Sequence, residues 1–334
     1  MNKAAQQALD AVNAMYKDPS LVFEMGKGNI MDIKRTPCNR LSIDSVFGGG
    51  TPDGRIIELF GQESSGKTTI ALHILASYQA TQKDRAAAFI DFEHAFDPKY
   101  AKNLGIDVEH LVMSQPTYAE QGLEAIDILI SSGGYSVVVI DSVAAMVPKT
   151  ELEGEMGKVA VGKQALLMSQ AMRKLTGTAN KTKTTLIFIN QMREKIGVMF
   201  GSPWVTAGGN ALKFYASIRA EIRRGAKQKD TKTGEMISNR GKIVVVKNKT
   251  FPPYKECEFD IEFGTGISRE GDILDFGVEL GAIKKAGSWY SVEDSKIGQG
   301  REAAKKTLIE NVDLTDELEV RILEALFNEK DESV

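Results

Sequence analysis

The sequence predicts an α/β protein with a phosphate-loop core, a mostly parallel central sheet and a small C-terminal α+β domain. Apolar strand-like runs alternate with amphipathic helical patterns between residues 55 and 190, as in parallel sheets with helices on both faces. One run, Ser136–Asp141, is almost continuously apolar, which indicates a strand buried on both faces. The glycine-rich motif Gly61–Thr68 lies between a predicted strand and a predicted helix, the context in which phosphate loops occur.

Composition indicates an ordinary globular protein of the cytoplasm. The chain has 334 residues, 42% of them hydrophobic, and a formal net charge of −3. That length accommodates one large domain with smaller appendages, and the charge excludes a uniformly basic nucleic-acid-binding surface, so any such site must be a local patch. Cys38 and Cys257 lack metal-ligand spacing, which suits a reducing compartment. No apolar run approaches the roughly 20 residues that cross a bilayer, so we expect no membrane partner.

The first predicted element is a helix. Ala5, Leu9, Val12 and Tyr16 recur at helical spacing, and Pro19 ends the pattern. This apolar stripe needs a partner, which is either its own domain or a neighbouring subunit, and spacing alone favours neither.

Four apolar runs predict the strands of the parallel sheet: Arg55–Phe60, Ala86–Asp91, Ser136–Asp141 and Thr185–Asn190. The period then changes to two along Ile218–Arg223 and Lys242–Lys247, which predicts an antiparallel hairpin added to the sheet, with a charged tip at Lys227–Gly234. Glu258–Phe263 alternates in the same way, and beyond Ser268 the pattern becomes helical and short. The predicted divisions of the chain are residues 1–30, 31–267 and 268–334.

The phosphate-loop motif predicts binding of a nucleoside triphosphate. Its glycines allow backbone amide groups to turn toward phosphate, and the helix N-terminus adds partial positive charge. Lys67 can reach the β and γ oxygens, and the Thr68 hydroxyl can hold Mg²⁺. The alternative, a Gly-Ser turn before an ordinary helix, leaves the Gly-Lys-Thr order unexplained. The predicted nucleotide-binding residues here are Gly61, Gln62, Glu63, Ser64, Ser65, Gly66, Lys67, Thr68 and Thr69.

Polar residues at the ends of three predicted strands are candidates for the chemistry. Asp141 ends an apolar strand, where its carboxylate either holds Mg²⁺ beside the phosphate loop or caps a helix. Glu93 follows another strand and can polarise a water molecule as general base, with Asp91 and His94 as rivals that spacing does not separate. Gln191 follows a third strand and either contacts the γ-phosphate or is an ordinary polar strand end.

Two glycine-punctuated segments are predicted to be loops. Met192–Asn210 combines cations with apolar side chains, which suits a nucleic-acid backbone and its bases, or else a surface loop with a small anchoring cluster. Glu153–Lys163 is less basic and a weaker candidate. Lys247 and Lys249 flank Asn248 on one predicted face, and they either form a solvated edge or meet a phosphate from another subunit.

Taken together, these motifs resemble the bacterial RecA recombinases from about Phe23 to Gly300. The resemblance rests on several long stretches: Gly61–Thr68, Phe89–Tyr100, Val139–Ala145, Met168–Leu175, Phe188–Gln191, Gly208–Ser217 and Val246–Lys249. It implies a RecA-like core that binds ATP and Mg²⁺, an N-terminal segment that packs on the next subunit, and a helical filament on single-stranded DNA. It further implies pairing with homologous duplex DNA, DNA-stimulated ATP hydrolysis, and roles in repair and the SOS response, with a self-cleaving repressor and loading proteins as partners.

For the ATP site, the resemblance implies roles residue by residue. Glu93 matches the catalytic glutamate, and Asp97 and Tyr100 match a pair that contacts adenine. Gln191 matches the residue that links the γ-phosphate to a DNA loop. The implied catalytic residues are Glu93, Lys67, Gln191, Lys247 and Lys249, and Thr68 and Asp141 are the implied metal ligands.

For assembly and DNA, Lys247 and Lys249 match lysines that reach the ATP of the adjacent subunit. Phe214, beside Lys213, matches an interface aromatic residue. Ile196 lies where the family inserts an aliphatic wedge between bases. The implied DNA-binding residues are Lys158, Lys163, Arg173, Arg193, Lys195, Ile196, Met199, Phe200, Gly208, Gly209 and Asn210.

The chain departs from the family pattern in its DNA-facing segments. Trp204 and Val205 replace an acidic residue and a threonine, and Glu194 lies nearby. Leu166 and Leu167 replace an Arg-Met pair, which removes one cationic contact. These changes fit a divergent homologue carried by a phage or mobile element. Two other classes of function are a phosphate-loop kinase of small molecules and a structural filament protein that uses ATP only for assembly.

Overall fold

The computed structural model describes residues 2–17, 21–24, 33–155, 162–194, 204–229, 234 and 236–328. The chain divides into two compact units, Met1–Lys34 and Arg35–Val334. The first unit contains helix α1 (Lys3–Tyr16), which confirms the predicted N-terminal helix. The Asn2 side chain caps the first turn of the helix, and Lys17 ends it in the left-handed conformation.

The second unit follows the predicted alternation of strands and helices. Its core elements are β1 (Arg35–Thr36), α2 (Leu41–Phe47), β2 (Thr51–Pro52), β3 (Ile56–Gly61), α3 (Lys67–Thr81), β4 (Ala86–Asp91), α4 (Pro98–Asn103), β5 (Leu111–Ser114), α5 (Ala119–Ser131), β6 (Tyr135–Asp141), α6 (Lys149–Leu152), α7 (Lys163–Thr182), β7 (Thr185–Glu194), β8 (Trp204–Thr206), α8 (Ala211–Tyr215), β9 (Ile218–Lys229), β10 (Met236–Asn248), β11 (Glu256–Glu262) and β12 (Gly266–Ile267).

One large sheet organises this core, in the order β12-β11-β10-β9-β3-β7-β6-β4-β5, with β8 paired to the end of β7. In the sheet, β9, β3, β7, β6, β4 and β5 run parallel to one another. From β9 through β10 and β11 to β12, each strand is antiparallel to the next. The predicted parallel sheet with an added antiparallel hairpin is confirmed. Because parallel strands share a direction, the carboxyl ends of β3, β4, β6 and β7 lie at the same edge.

Apolar layers cover both faces of the sheet. Helix α3 packs on one face, where Ile70 and Ile74 are buried. Helices α5 and α7 pack on the other face through residues such as Ile126 and Met172. Most strand residues between the layers are apolar on both faces of the sheet, as the sequence predicted for a covered parallel sheet.

Strand pairing extends three strands beyond their predicted ends. Strands β9 and β10 continue into the charged segment predicted as the hairpin tip, since Lys227 pairs with Asn239. Strand β7 continues to Glu194, which pairs with Trp204 of β8 in an antiparallel stem. The prediction that Met192–Asn210 lacks regular structure is therefore wrong at both ends of that segment.

The C-terminal part is a small α+β arrangement. It consists of α9 (Arg269–Glu279), β13 (Lys284–Ala286), β14 (Trp289–Val292), β15 (Ser295–Gln299), α10 (Arg301–Glu310) and α11 (Val312–Asn328). The three strands form an antiparallel sheet, and its apolar core includes Ile273, Leu308 and Ile322. The helical pattern beyond Ser268 predicted the helices but did not locate these short strands.

Buried ion pairs join the C-terminal helices to the core strands. Asp260 of β11 is fully buried and accepts hydrogen bonds from Arg240 (Nη1–Oδ1, 3.0 Å) and Arg301 (Nη2–Oδ2, 2.7 Å). Lys305, also buried, donates to Glu262 (Nζ–Oε1, 2.7 Å). Burial by itself raises the pKa of Asp260, but the charges and hydrogen bonds of Arg301 and Arg240 bring that pKa below its ordinary value. We call this set of side chains the junction cluster.

Candidate nucleotide site

The phosphate loop connects β3 to α3 at the carboxyl edge of the sheet. Gly66 precedes the helix with a φ of 96°, and Ser64 also has a positive φ of 55°. A Cβ atom on Gly61 would lie 2.1 Å from the carbonyl oxygen of Ile222, and one on Gly66 would lie 2.3 Å from the Ile261 side chain. Gly61 therefore requires glycine because the backbone of β9 approaches it, and Gly66 because of its positive φ.

Lys67 and Thr68 begin the helix behind this loop. Lys67 Nζ donates to the carbonyl oxygen of Gln62 at 2.6 Å, and burial lowers the pKa of this lysine. Thr68 Oγ1 donates to Asp141 Oδ2 at 2.8 Å. Burial raises the pKa of Asp141 to about 6, although the hydrogen bond from Thr68 opposes that rise. The structure thus brings together the loop and the end of β6, as the motif and the strand end predict.

The chemistry of Thr68 and Asp141 fits a magnesium ion that is also held by phosphate. Mg²⁺ prefers oxygen ligands, retains several waters, and is commonly bound through one or two carboxylates plus substrate phosphates. Within the described ranges, no group of three or more His, Cys, Asp and Glu side chains is placed to hold a metal ion. A hydroxyl and a carboxylate beside a phosphate loop are consistent with a metal that arrives with its nucleotide.

The end of β4 distinguishes the three rivals for the catalytic base. Asp91 is buried and accepts from the backbone amide of Phe96 (3.2 Å) and from Gln115 Nε2 (3.1 Å), so its carboxylate holds the following turn. Glu93 is exposed, and its Oε1 accepts from Gln191 Nε2 at 2.9 Å and from the Ser142 hydroxyl. His94, also exposed, makes no hydrogen bond to either carboxylate in the described part of the chain. The geometry therefore favours Glu93, and the assignment stays a prediction.

A cavity of about 400 Å³ adjoins the phosphate loop, and its lining includes Tyr100, one of the two residues predicted to contact adenine. The Tyr100 hydroxyl is 3.0 Å from Thr69 Oγ1. Asp97 lies at the start of α4, where its side chain accepts from the amides of Lys99 and Tyr100. The cavity has a second wall that the sequence did not indicate, which is formed by Asn239, Ile261, Glu262, Phe263 and Gly264.

Lys247 and Lys249 converge on the end of α8. Lys247 Nζ donates to the carbonyl oxygens of Lys213 (2.6 Å) and Phe214 (2.9 Å), and Lys249 Nζ donates to that of Phe214 (3.3 Å). Burial, reinforced by the charges of Lys249 and Arg219, lowers the pKa of Lys247 to about 8. The Phe214 side chain itself is 71% exposed. The structure thus groups the four residues predicted to face a neighbouring subunit.

The predicted DNA-facing residues are only partly described. Lys158, Lys195, Ile196, Met199 and Phe200 lie outside the described residues.

Among the described DNA-facing residues, Lys163 begins α7 and Arg173 is exposed on the same helix. Arg193 lies in the stem formed by β7 and β8. Gly208 and Gly209 precede Asn210 with positive φ, and Cβ atoms on the two glycines would lie 2.7 Å from Val143 and from Ala165, respectively. The end of Met192–Asn210, which we call the second loop because it follows Glu153–Lys163 in the chain, therefore packs closely beside α7.

Comparison with known proteins identifies the family. The model of the RecA N-terminal domain matches residues 3–268, and the model of the RecA C-terminal domain matches residues 271–327. The chain belongs to the RecA family. This RecA-family chain is 52% identical over 321 residues to Protein RecA of Ruminococcus albus, covering 96% of this chain and 79% of that protein.

Two further relatives show the same level of similarity. Protein RecA of Mycolicibacterium smegmatis is 52% identical over 332 residues, covering 96% of this chain and 94% of the relative. Protein RecA of Bacteroides thetaiotaomicron is 52% identical over 325 residues, covering 97% of each chain. The resemblance inferred from the motifs is confirmed. Across the described ranges of this RecA-family chain, none of the helices combines the length and the apolar character needed to cross a membrane.

Proposed function

We propose that this chain is an ATP-dependent DNA recombinase, which forms a helical filament on single-stranded DNA and pairs it with homologous duplex DNA. The observation that carries the proposal is the 2.9 Å hydrogen bond from Gln191 to Glu93, in a chain that matches the RecA family over nearly its whole length. This bond joins the group proposed to activate water to the strand that enters the second predicted DNA loop. A kinase of small molecules has no need of such a link.

In this proposal, ATP is hydrolysed to ADP and phosphate at the carboxyl edge of the sheet. The phosphate-loop amides and Lys67 bind the triphosphate. When bound beside Thr68 and Asp141, Mg²⁺ offsets negative charge on the phosphates. Glu93 accepts a proton from the attacking water, because it is the exposed carboxylate at the end of β4. Tyr100 contacts adenine on the cavity side.

Gln191 is proposed to report the state of the nucleotide to the second loop. With a γ-phosphate in place, the Gln191 amide can donate to a phosphate oxygen instead of to Glu93. Gln191 belongs to β7, whose end pairs with β8, so a change at Gln191 is passed to the stem of the loop. The affinity for DNA would then follow the nucleotide state.

Neighbouring subunits are proposed to complete the site. Lys247 and Lys249 reach the ATP of the adjacent subunit, and Phe214 packs at the same joint. We also propose cytoplasmic location, participation in the SOS response, and a self-cleaving repressor and loading proteins as partners. The proposed divisions are residues 1–30 for subunit packing, 31–267 for the ATPase core and 268–334 for the C-terminal domain; the two family models, which meet between residues 268 and 271, support the last boundary.

The test is ATP turnover measured with and without single-stranded DNA, together with binding of that DNA over a salt series in the presence of ATP. We expect DNA to stimulate turnover, and the slope of log affinity against log salt to count the neutralised phosphates at about 0.7 per contact. ATP turnover that does not change with DNA, together with transfer of phosphate to a metabolite, would support the alternative of a small-molecule kinase. Assembly that depends on ATP but not on DNA would support the structural filament.

A further inference from the structure

Strand β3 carries a single charged side chain among apolar neighbours on the same strand. Its neighbours along the strand, Ile57 and Leu59, are fully buried, and so is Glu58 itself. A buried carboxylate is costly unless hydrogen bonds and an opposite charge compensate it. A carboxylate at this position must therefore have partners on the neighbouring strands.

Two neighbouring strands supply the partners of this carboxylate. Arg219 of β9 donates to Glu58 Oε2, and its guanidinium also lies 4.5 Å from the centre of the Phe60 ring. Asn190 of β7 donates from Nδ2 to Glu58 Oε1 at 2.9 Å. Glu58 thus bridges the strands on both sides of β3, and its two oxygens have different partners.

Asn190 also forms hydrogen bonds near both ends of the second loop. Its Nδ2 also donates to the carbonyl oxygen of Ala207 at 3.0 Å, and its Oδ1 accepts from the backbone amide of Gln191 at 2.9 Å. A carboxylate only accepts hydrogen bonds, so Glu58 requires the NH₂ group of Asn190 to point toward it. That orientation in turn leaves the Asn190 oxygen for the Gln191 amide.

We propose that Glu58 is a positioning residue, which acts through Asn190 to fix Gln191 and the Ala207 end of the second loop relative to Glu93. The inference rests on the proposed function, because it concerns how Gln191 couples ATP to DNA. Glu58 touches no reacting atom. Its partner Arg219 lies opposite Lys247 in the pairing of β9 with β10, and the charges of Arg219 and Glu58 both act on the pKa of Lys247.

The first test compares DNA stimulation of ATP turnover in the wild type and in Glu58→Gln. A glutamine can turn its own NH₂ group toward Asn190, which releases the fixed orientation. We expect the ratio of turnover with and without single-stranded DNA to fall roughly tenfold, the scale of one misdirected buried hydrogen bond, while the KM for ATP stays within about threefold. An unchanged ratio overturns the positioning role.

Asp53→Asn provides the matched control. Asp53 is also buried and lies just before β3, at the opposite end of the strand, where it accepts from Thr36, Tyr78 and Gln82. We expect Asp53→Asn to lower stability and to keep the DNA-stimulation ratio. An equal loss of stimulation in both variants shows that general destabilisation is responsible, and it overturns the proposal.

A double variant distinguishes a loss of positioning from a loss of stability. Glu58→Gln together with Arg219→Gln removes both charges of the ion pair, so it avoids leaving the arginine uncompensated if Glu58→Gln alone does not fold. We expect the thermal midpoint to recover in the double variant while the stimulation ratio stays low. Recovery of both together overturns the proposal.

A second readout remains decisive even if the wild type shows no DNA stimulation and the proposed function fails. The chain has two tryptophans, so Trp289→Phe leaves Trp204, in the stem of the second loop, as the only one. In this background, without nucleotide, we expect Glu58→Gln to raise acrylamide quenching of Trp204 about twofold, because the Ala207 end loses its fixed donor. Equal quenching in the parent and the variant overturns the inference.

Discussion

Acidic side chains have opposite surroundings at the carboxyl edge of the sheet and in the junction cluster. In the junction cluster, Asp260 is matched by two arginines, and its pKa lies below the ordinary value. At the carboxyl edge, the hydrogen bond that Asp141 accepts within the described ranges comes from the Thr68 hydroxyl, and the pKa of Asp141 is raised to about 6 by burial. Lys67, whose charge acts on Asp141, donates to a carbonyl oxygen instead of to a carboxylate.

This difference separates a structural cluster from a site that awaits a ligand. Charges that compensate one another need nothing further, whereas a buried acid without a matching cation gains from a metal ion or from a new hydrogen bond. The junction cluster is therefore expected to affect stability, and the carboxyl edge to affect chemistry. The following predictions test that division, from the largest expected effect to the smallest.

Glu93→Gln should lower ATP turnover by about 100-fold to 10,000-fold, the usual contribution of a general base. The amide keeps the shape of the side chain but cannot accept the proton, so binding of ATP should be retained. Turnover and nucleotide affinity are measured on the same preparation. Asp91→Asn is the control, since Asp91 holds the backbone turn; if that variant stops turnover and Glu93→Gln does not, the base has been assigned to the wrong carboxylate.

Asp260→Asn should lower the free energy of unfolding by about 2 kcal/mol, because it replaces the buried carboxylate shared by Arg240 and Arg301 with a neutral amide, while both arginines keep their ion pairs with Asp275. Urea unfolding at neutral pH measures the change. The exposed pair Lys306 and Glu310 offers a comparison, since Lys306→Ala should cost about 0.5 kcal/mol or less. A similar cost for the two variants would contradict the structural role assigned to the junction cluster.

Lys247→Ala combined with Lys249→Ala should weaken ATP-dependent assembly roughly tenfold or more, which corresponds to about 1.4 kcal/mol or more. Binding of ATP to the isolated subunit should change by less than about threefold, because neither lysine contacts the phosphate loop of its own chain. Sedimentation in the presence of an ATP analogue reports assembly. Equal losses of assembly and of nucleotide binding would argue against action across a subunit joint.

Asp272→Asn should remove a pH dependence of stability. Burial raises the pKa of Asp272 to about 7, even though Ser42 donates two hydrogen bonds to it. The folded state therefore holds this proton more tightly than the unfolded state, and the resulting stability is fully present below about pH 4 and is lost as pH rises through about 7. Between pH 6 and 8 the wild type should lose about 1 kcal/mol more than the variant, as measured by urea unfolding; parallel curves would place the titration elsewhere.

Local patterns predicted the parts of the site that are contiguous in sequence. Gly61–Thr68 and the strand end at Asp141 could be recognised because each depends on a few adjacent residues. The choice between Glu93 and Asp91 could not be made from spacing, since both follow the same strand. Only the fold shows that Asp91 is engaged by Phe96 and Gln115.

Features that depend on distant pairing were not visible in the sequence. Ile261 and Phe263 line the cavity beside the phosphate loop only because β11 reaches β3 through β10 and β9. The stem between Glu194 and Trp204 likewise depends on a pairing across residues that separate β7 from β8. Strand β13 escaped notice because all of its residues are exposed, so it lacks the apolar alternation by which strands are recognised.

The place of β3 in the sheet has a consequence for synthesis on the ribosome. Its residues pair with β7 and β9, Ile56 lying opposite Leu186 and Ile57 opposite Ile218. A nascent chain that ends before β9 leaves one edge of β3 unpaired, and contacts of such sequence separation form late because closing a long loop costs entropy first. Nucleotide binding should therefore appear on the growing chain only after β9 has emerged, which makes it a measure of when the core is complete.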